Sequence, residues 1–123
     1  GSTHVYYVYP MQINERSLGV SRQTLCDALE AEGVAIMRSY QNVHLLPVYQ
    51  KKIAYGRSGF PWTSEICKRD VDYSKGICPV AEDLNDNSFI GIGMCISDFT
   101  ANDISLISDA FHKVWNSIET LKT

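Results

Sequence analysis

Three side chains that can bind an anion or move a proton lie close together in the sequence. Arg38, Tyr40 and His44 follow one another at the end of an apolar, β-branched segment. An arginine, a tyrosine and a histidine at the end of a strand could bind an anionic group or relay a proton. In the alternative interpretation His44 closes a turn and Tyr40 packs in the core. The spacing alone favours this structural interpretation.

The other polar pairs offer less chemistry. Glu82 and Asp83 are adjacent, so they cannot face each other across a cleft as a general acid and base. They follow Pro79, and acidic residues early in a helix interact favourably with its dipole. None of the six lysines has the apolar sequence surroundings that lower a lysine pKa for Schiff-base chemistry. The sequence therefore predicts no catalytic and no cofactor-binding residue within this chain.

The cysteines give no metal-binding pattern. Cys26, Cys67, Cys78 and Cys95 form no Cys-x-x-Cys pair and lie near no histidine at zinc-site spacing. The cysteine spacing therefore gives little support to a zinc-stabilised interaction domain, and no metal ligand is predicted. Free thiols and a cytoplasmic location are expected instead.

Length and charge narrow the class of protein. The chain has 123 residues, of which 45% are apolar and 20% charged, which suits one globular domain. The net charge of −3 argues against a nucleic acid or anionic membrane partner. Residues 50–78 carry six basic and three acidic side chains, which could meet a phosphate or simply be hydrated. No apolar run approaches the 18 or so residues that a membrane span needs.

The pattern along the chain predicts an α+β domain with a small three-stranded, mostly antiparallel sheet. Helices pack on this sheet, and a long amphipathic helix runs from a Thr100 cap nearly to the C-terminus. Residues 55–78 show no periodicity. The predicted strands are 4–9, 34–40 and 89–96. The shorter predicted helices are 21–32, one within 45–54 that begins near Pro47, and 79–85.

Five sequence blocks in order resemble the C-terminal end of the DegT/DnrJ/StrS-type sugar aminotransferases, which are fold-type-I enzymes dependent on pyridoxal phosphate. Gln41 departs from the proline usual in that family after the tyrosine, and Phe89-Ile90-Gly91 departs from its usual strand. The blocks are His4–Tyr9, Ser21–Val34, the series Tyr40, His44, Pro47 and Tyr49, then Cys78–Glu82, and Thr100–Ala110.

The resemblance implies that residues 4–123 are the small C-terminal domain of such an enzyme, after an expression remnant and linker at residues 1–3. The cofactor and its lysine would belong to the missing N-terminal large domain, so this chain alone would be inactive. The parent, a homodimer, would transfer an amino group from glutamate or glutamine to a keto-sugar, often nucleotide-linked, or to a cyclitol ketone. Tyr40 and His44 would contact the substrate, with Arg38 as a weaker addition. The alternative is a free-standing binding module of the same architecture without catalysis.

Overall fold

The computed structural model describes residues 1–122, which divide into two compact units. The sheet unit comprises residues 1–40 and 86–122, and the loop unit comprises residues 41–85. The strands are β1 (Val8–Gln12), β2 (Ile36–Met37) and β3 (Phe89–Gly93). The α-helices are α1 (Glu15–Leu18), α2 (Arg22–Ala31), α3 (Pro47–Gln50), α4 (Pro79–Asp83) and α5 (Ala101–Asn116).

The three strands form one antiparallel sheet in the order β1-β3-β2. Pro10 of β1 lies opposite Gly91, and Ile36 of β2 lies opposite Ile92. Pro10 lacks an N–H, and an edge strand such as β1 tolerates that loss. The architecture confirms the predicted α+β class and the predicted antiparallel sheet.

Local capping signals fix both long helices. Ser21 caps α2 by accepting a hydrogen bond from the Thr24 N–H, and Thr100 caps α5 in the same way through Asp103. The Asp103 carboxylate in turn accepts from the Thr100 N–H, which completes the capping box predicted from the sequence. Gly33 follows α2 with a φ of 88°, the left-handed conformation expected of the residue that ends a helix.

The core of the sheet unit lies between the sheet and helices α2 and α5. Leu29, Cys26 and Ile90 are its most completely buried large side chains. The remaining buried apolar residues are Val20, Leu25, Val34, Ile36, Ile92, Ala110 and Val114.

The strands are shorter than the sequence predicts. The predicted strand 4–9 is replaced by Val8–Gln12, because Tyr6 has a φ of 45° and interrupts extended backbone there. The predicted strands 34–40 and 89–96 shrink to Ile36–Met37 and Phe89–Gly93. Both edge strands can pair only with β3, so the five residues of β3 limit the ladder.

The loop unit contains little regular structure, as its lack of periodicity predicts. Besides α3 and α4 it has a 3₁₀ turn at Val43–Leu45 and an isolated bridge between Tyr55 and Phe60. Rings of Tyr49, Trp62 and Tyr73 pack together, with centroids 5.2 to 6.3 Å apart. The Trp62 indole N–H donates to the Tyr73 hydroxyl at 3.0 Å. These aromatic contacts replace a helix or sheet in ordering the long connection.

Candidate functional site

His44 and Glu82 form a buried polar pair at the heart of the loop unit. The His44 Nε2 atom lies 2.8 Å from the Glu82 Oε1 atom, and the two side chains are 10% and 8% exposed. Glu82 is the only charged residue among the buried positions of the described chain. A buried carboxylate is costly unless donors surround it, so its neighbours indicate what it does.

Backbone amides supply the other donors to Glu82. The Gly76 N–H donates to both carboxylate oxygens, at 2.8 and 2.9 Å, and the Cys78 N–H donates to Oε1 at 3.2 Å. Cys78 is the N-cap of α4, and its own side chain makes no capping bond. The Glu82 carboxylate thus folds back over the start of its own helix and accepts the N–H of the N-cap residue.

The donors decide the charge of Glu82. Burial acts to raise its pKa, but the amides of Gly76 and Cys78 and the ring of His44 more than offset this, and the pKa of Glu82 is lowered. The carboxylate is therefore ionised at neutral pH. An ionised carboxylate accepts hydrogen bonds and donates none.

Tyr40 lies in an aromatic group of the sheet unit. Its hydroxyl is 3.4 Å from that of Tyr7, and its ring meets Phe89 edge to face at 6.5 Å. The hydrogen bond with Tyr7 is the main cause that raises the pKa of Tyr40, so the phenol stays protonated at neutral pH. Tyr40 is 45% exposed and is free to contact a ligand.

Arg38 is occupied by two carboxylates of α2. Its guanidinium lies 2.5 Å from Glu30 and 2.6 Å from Asp27, with the Glu30 bond the main cause that raises the pKa of Arg38. The side chain therefore ties the segment after β2 to α2. No hydrogen bond joins Arg38 to Tyr40 among the described residues.

The predicted site residues thus fall into different units: Arg38 and Tyr40 in the sheet unit, His44 in the loop unit. Sequence reasoning misses the contact of Glu82 with His44, because the helix dipole alone explains an acidic residue early in a helix. The signal that could have found it is the paired occurrence of His44 and Glu82 in two of the blocks that resemble the aminotransferases.

The lysines show whether this chain could itself hold pyridoxal phosphate. A Schiff-base lysine needs a buried site or a neighbouring cation that lowers its pKa. None of the six lysines is buried. Lys52 pairs with Asp70 at 2.5 Å, and this contact raises its pKa. The lysines present therefore do not fit the cofactor.

Residues 1–122 contain neither a metal-binding cluster nor a membrane-spanning helix. No group of three or more His, Cys, Asp or Glu side chains there could hold a metal ion. No helix in that range is long and apolar enough to cross a membrane.

Comparison with known proteins gives a family. The chain is similar to the spore coat polysaccharide biosynthesis protein SpsC of Bacillus subtilis (strain 168), with 31% identity over 69 residues. These residues make up 55% of this chain and only 18% of SpsC. The family model of the DegT/DnrJ/EryC1/StrS aminotransferases matches residues 1–88, which takes in His44 and Glu82 but ends before β3 and α5. This chain belongs to the DegT/DnrJ/EryC1/StrS aminotransferase family.

Proposed function

We propose that this chain is the small C-terminal domain of a pyridoxal-phosphate-dependent sugar aminotransferase. The parent would move an amino group from glutamate or glutamine to a keto-sugar, often nucleotide-linked, or to a cyclitol ketone. The observation that carries the proposal is the family match over residues 1–88. The name of SpsC, a polysaccharide biosynthesis protein, favours a sugar as the substrate class.

The cofactor would supply the electron sink for amino transfer and would be held by the large domain. The contribution of this chain would be to bind the substrate. The protonated phenol of Tyr40 can donate to a sugar oxygen or accept from a hydroxyl. His44 offers a ring nitrogen in a fixed orientation. Arg38 would have to leave two carboxylates to contact substrate, so it contributes less.

Apolar surface on the sheet unit supports a domain that is part of a larger protein. A cavity of about 400 Å³ between β1 and α5 is lined largely by apolar side chains, including Tyr9, Met11 and Phe111. Ile104 and Leu106 of α5 are 43% and 60% exposed. Exposed apolar patches of this kind mark interaction surfaces. A free-standing binding module is expected to have a polar surface there.

The test compares this chain with the full-length product of the same gene. Both are titrated with pyridoxal phosphate, reduced with borohydride, and read by intact and peptide mass. We expect one reduced adduct per full-length chain, on a lysine outside these 123 residues, and none on the isolated chain. The full-length protein is then supplied with glutamate and a panel of keto-sugars, and 2-oxoglutarate is measured.

Three results would contradict the proposal. A stoichiometric adduct on one lysine of the isolated chain would place the cofactor site here. If neither protein forms an adduct, the assignment as an aminotransferase fails and the free-standing binding module is favoured. An isolated chain that releases 2-oxoglutarate would contradict its expected inactivity.

A further inference from the structure

The hydrogen bonds of Glu82 determine which nitrogen of His44 carries the proton. The ionised carboxylate only accepts, so the His44 Nε2 atom, 2.8 Å away, must be the donor. In a neutral imidazole one nitrogen carries hydrogen and the other has a lone pair. In the neutral ring the remaining nitrogen, Nδ1, is therefore a hydrogen-bond acceptor.

Nδ1 has no partner within the loop unit. No hydrogen bond to it is present among residues 41–85. It is also absent from the buried unpaired side-chain atoms of the described chain, among which only the Ser88 hydroxyl occurs. Nδ1 is accordingly an acceptor that solvent or a ligand can reach.

The backbone holds Glu82 in this role. Gly76 and Cys78 fix both carboxylate oxygens, so the carboxylate cannot rotate away from the ring without leaving two amides unpaired. On the other side, the His44 carbonyl accepts from the Gln50 side-chain amide at 2.8 Å. The backbone of His44 and the carboxylate of Glu82 are thus both restrained by the loop unit itself.

We propose that Glu82 is a positioning residue that holds His44 as the Nε2–H tautomer, so that Nδ1 accepts a hydrogen bond from a hydroxyl of the sugar or cyclitol substrate. The inference rests on the proposed function and deepens it. A lone pair at this position binds a hydroxyl and rejects a carbonyl or phosphate oxygen, which would face it acceptor to acceptor. The site therefore selects a hydroxyl of the substrate and does not bind its keto oxygen.

The tautomer can be measured on the full 123-residue chain without any substrate. Long-range ¹H–¹⁵N correlation at pH 8 distinguishes Nε2–H, Nδ1–H and doubly protonated histidine rings, and His44→Gln assigns the signal. We expect His44 to be fully the Nε2–H form. A Nδ1–H tautomer, a mixture or a charged ring in the wild-type chain would overturn the proposal, and this result needs no Glu82 variant to fold.

Glu82→Gln tests the positioning role, with Asp83→Asn as the matched control. Both remove one carboxylate from the same short helix, but Asp83 is exposed. We expect Glu82→Gln to mix the tautomers of His44 and Asp83→Asn to leave them unchanged. Unchanged tautomers in a folded Glu82→Gln chain would refute the role of Glu82.

Kinetics of the full-length enzyme separate positioning from mere stability. Losing one substrate hydrogen bond is expected to raise KM for the keto-sugar about fivefold to tenfold with little change in kcat. Glu82→Gln should add nothing in a His44→Phe background, nor with a deoxy substrate that lacks the bound hydroxyl. A fall in kcat with KM unchanged would indicate lost folded enzyme and refute positioning. If the wild-type enzyme transfers no amino group, the proposed function fails while the tautomer result stands.

Discussion

Leu29 is the side chain whose removal should damage the sheet unit most clearly. It lies on α2, is completely inaccessible to solvent and belongs to the cluster between the sheet and both long helices. Leu29→Ala deletes three buried carbons, worth about 2.4 kcal/mol at 0.8 kcal/mol each. The cavity left behind adds to this, so the expected loss in the free energy of unfolding is about 3 to 4 kcal/mol.

Leu106→Ala is the matched control, since it makes the same change on α5 where the side chain is 60% exposed. Its effect should stay within about 0.5 kcal/mol. Urea unfolding gives both values. The chain has two tryptophans, Trp115 in the sheet unit and Trp62 in the loop unit, so single Trp→Phe backgrounds report on each unit separately.

The expected loss is a large share of the total stability of a domain this size, which is about 6 to 18 kcal/mol. It should therefore appear in the Trp115 transition as an obvious shift to lower urea. A loss below about 1 kcal/mol, or one equal to that of Leu106→Ala, would refute the assignment of Leu29 to a well-packed core.

Three further outcomes are expected. Thr100→Ala should lower the free energy of unfolding by about 0.5 to 2 kcal/mol, measured by urea titration, because it removes the N-cap of α5. Acid should destabilise the chain: the pKa values of Asp103 and Glu82 are lowered from 3.8 and 4.5. Their contribution is therefore complete above those ordinary values and is lost as pH falls through the lower folded ones, and thermal melts between pH 7 and 2 should show this decline. Glu82→Gln removes the contribution of the Glu82 carboxylate, so the melting temperature of this variant should fall less between pH 7 and 2. Arg38→Gln should lower the urea midpoint slightly and leave the KM for keto-sugar nearly unchanged, since the half-buried guanidinium already pairs with two carboxylates of α2. A higher KM for the keto-sugar in Arg38→Gln would contradict this expectation and indicate that Arg38 binds the substrate.

The helices were predictable because their signals are local. Thr100 and Asp103 form the cap within four residues, and the apolar spacing of α5 repeats along one face. The contacts that set the limits of the strands are not local in sequence. The register of β1 is set by its pairing with β3, some eighty residues away, and no pattern within 4–12 reveals where that pairing stops.

The candidate site was predictable only in part for the same reason. His44 and Tyr40 were identified by their chemistry and by resemblance to the aminotransferases. The contact of His44 with Glu82 spans 38 residues and depends on how a connection without regular structure returns to its start. Nothing in the spacing of the two residues indicates it.

The arrangement around Glu82 explains how an irregular segment can hold a functional ring in place. Backbone amides outside helices and sheets still need acceptors, and a buried amide left without one is costly. Glu82 satisfies those of Gly76 and Cys78 with the same carboxylate that binds His44. Together with Gln50, which donates to the His44 carbonyl, Glu82 links His44 to the far end of the connection, although that connection has little regular structure. On this view the polar contact at the two ends, more than the long connection between them, is what fixes the acceptor that a substrate would meet.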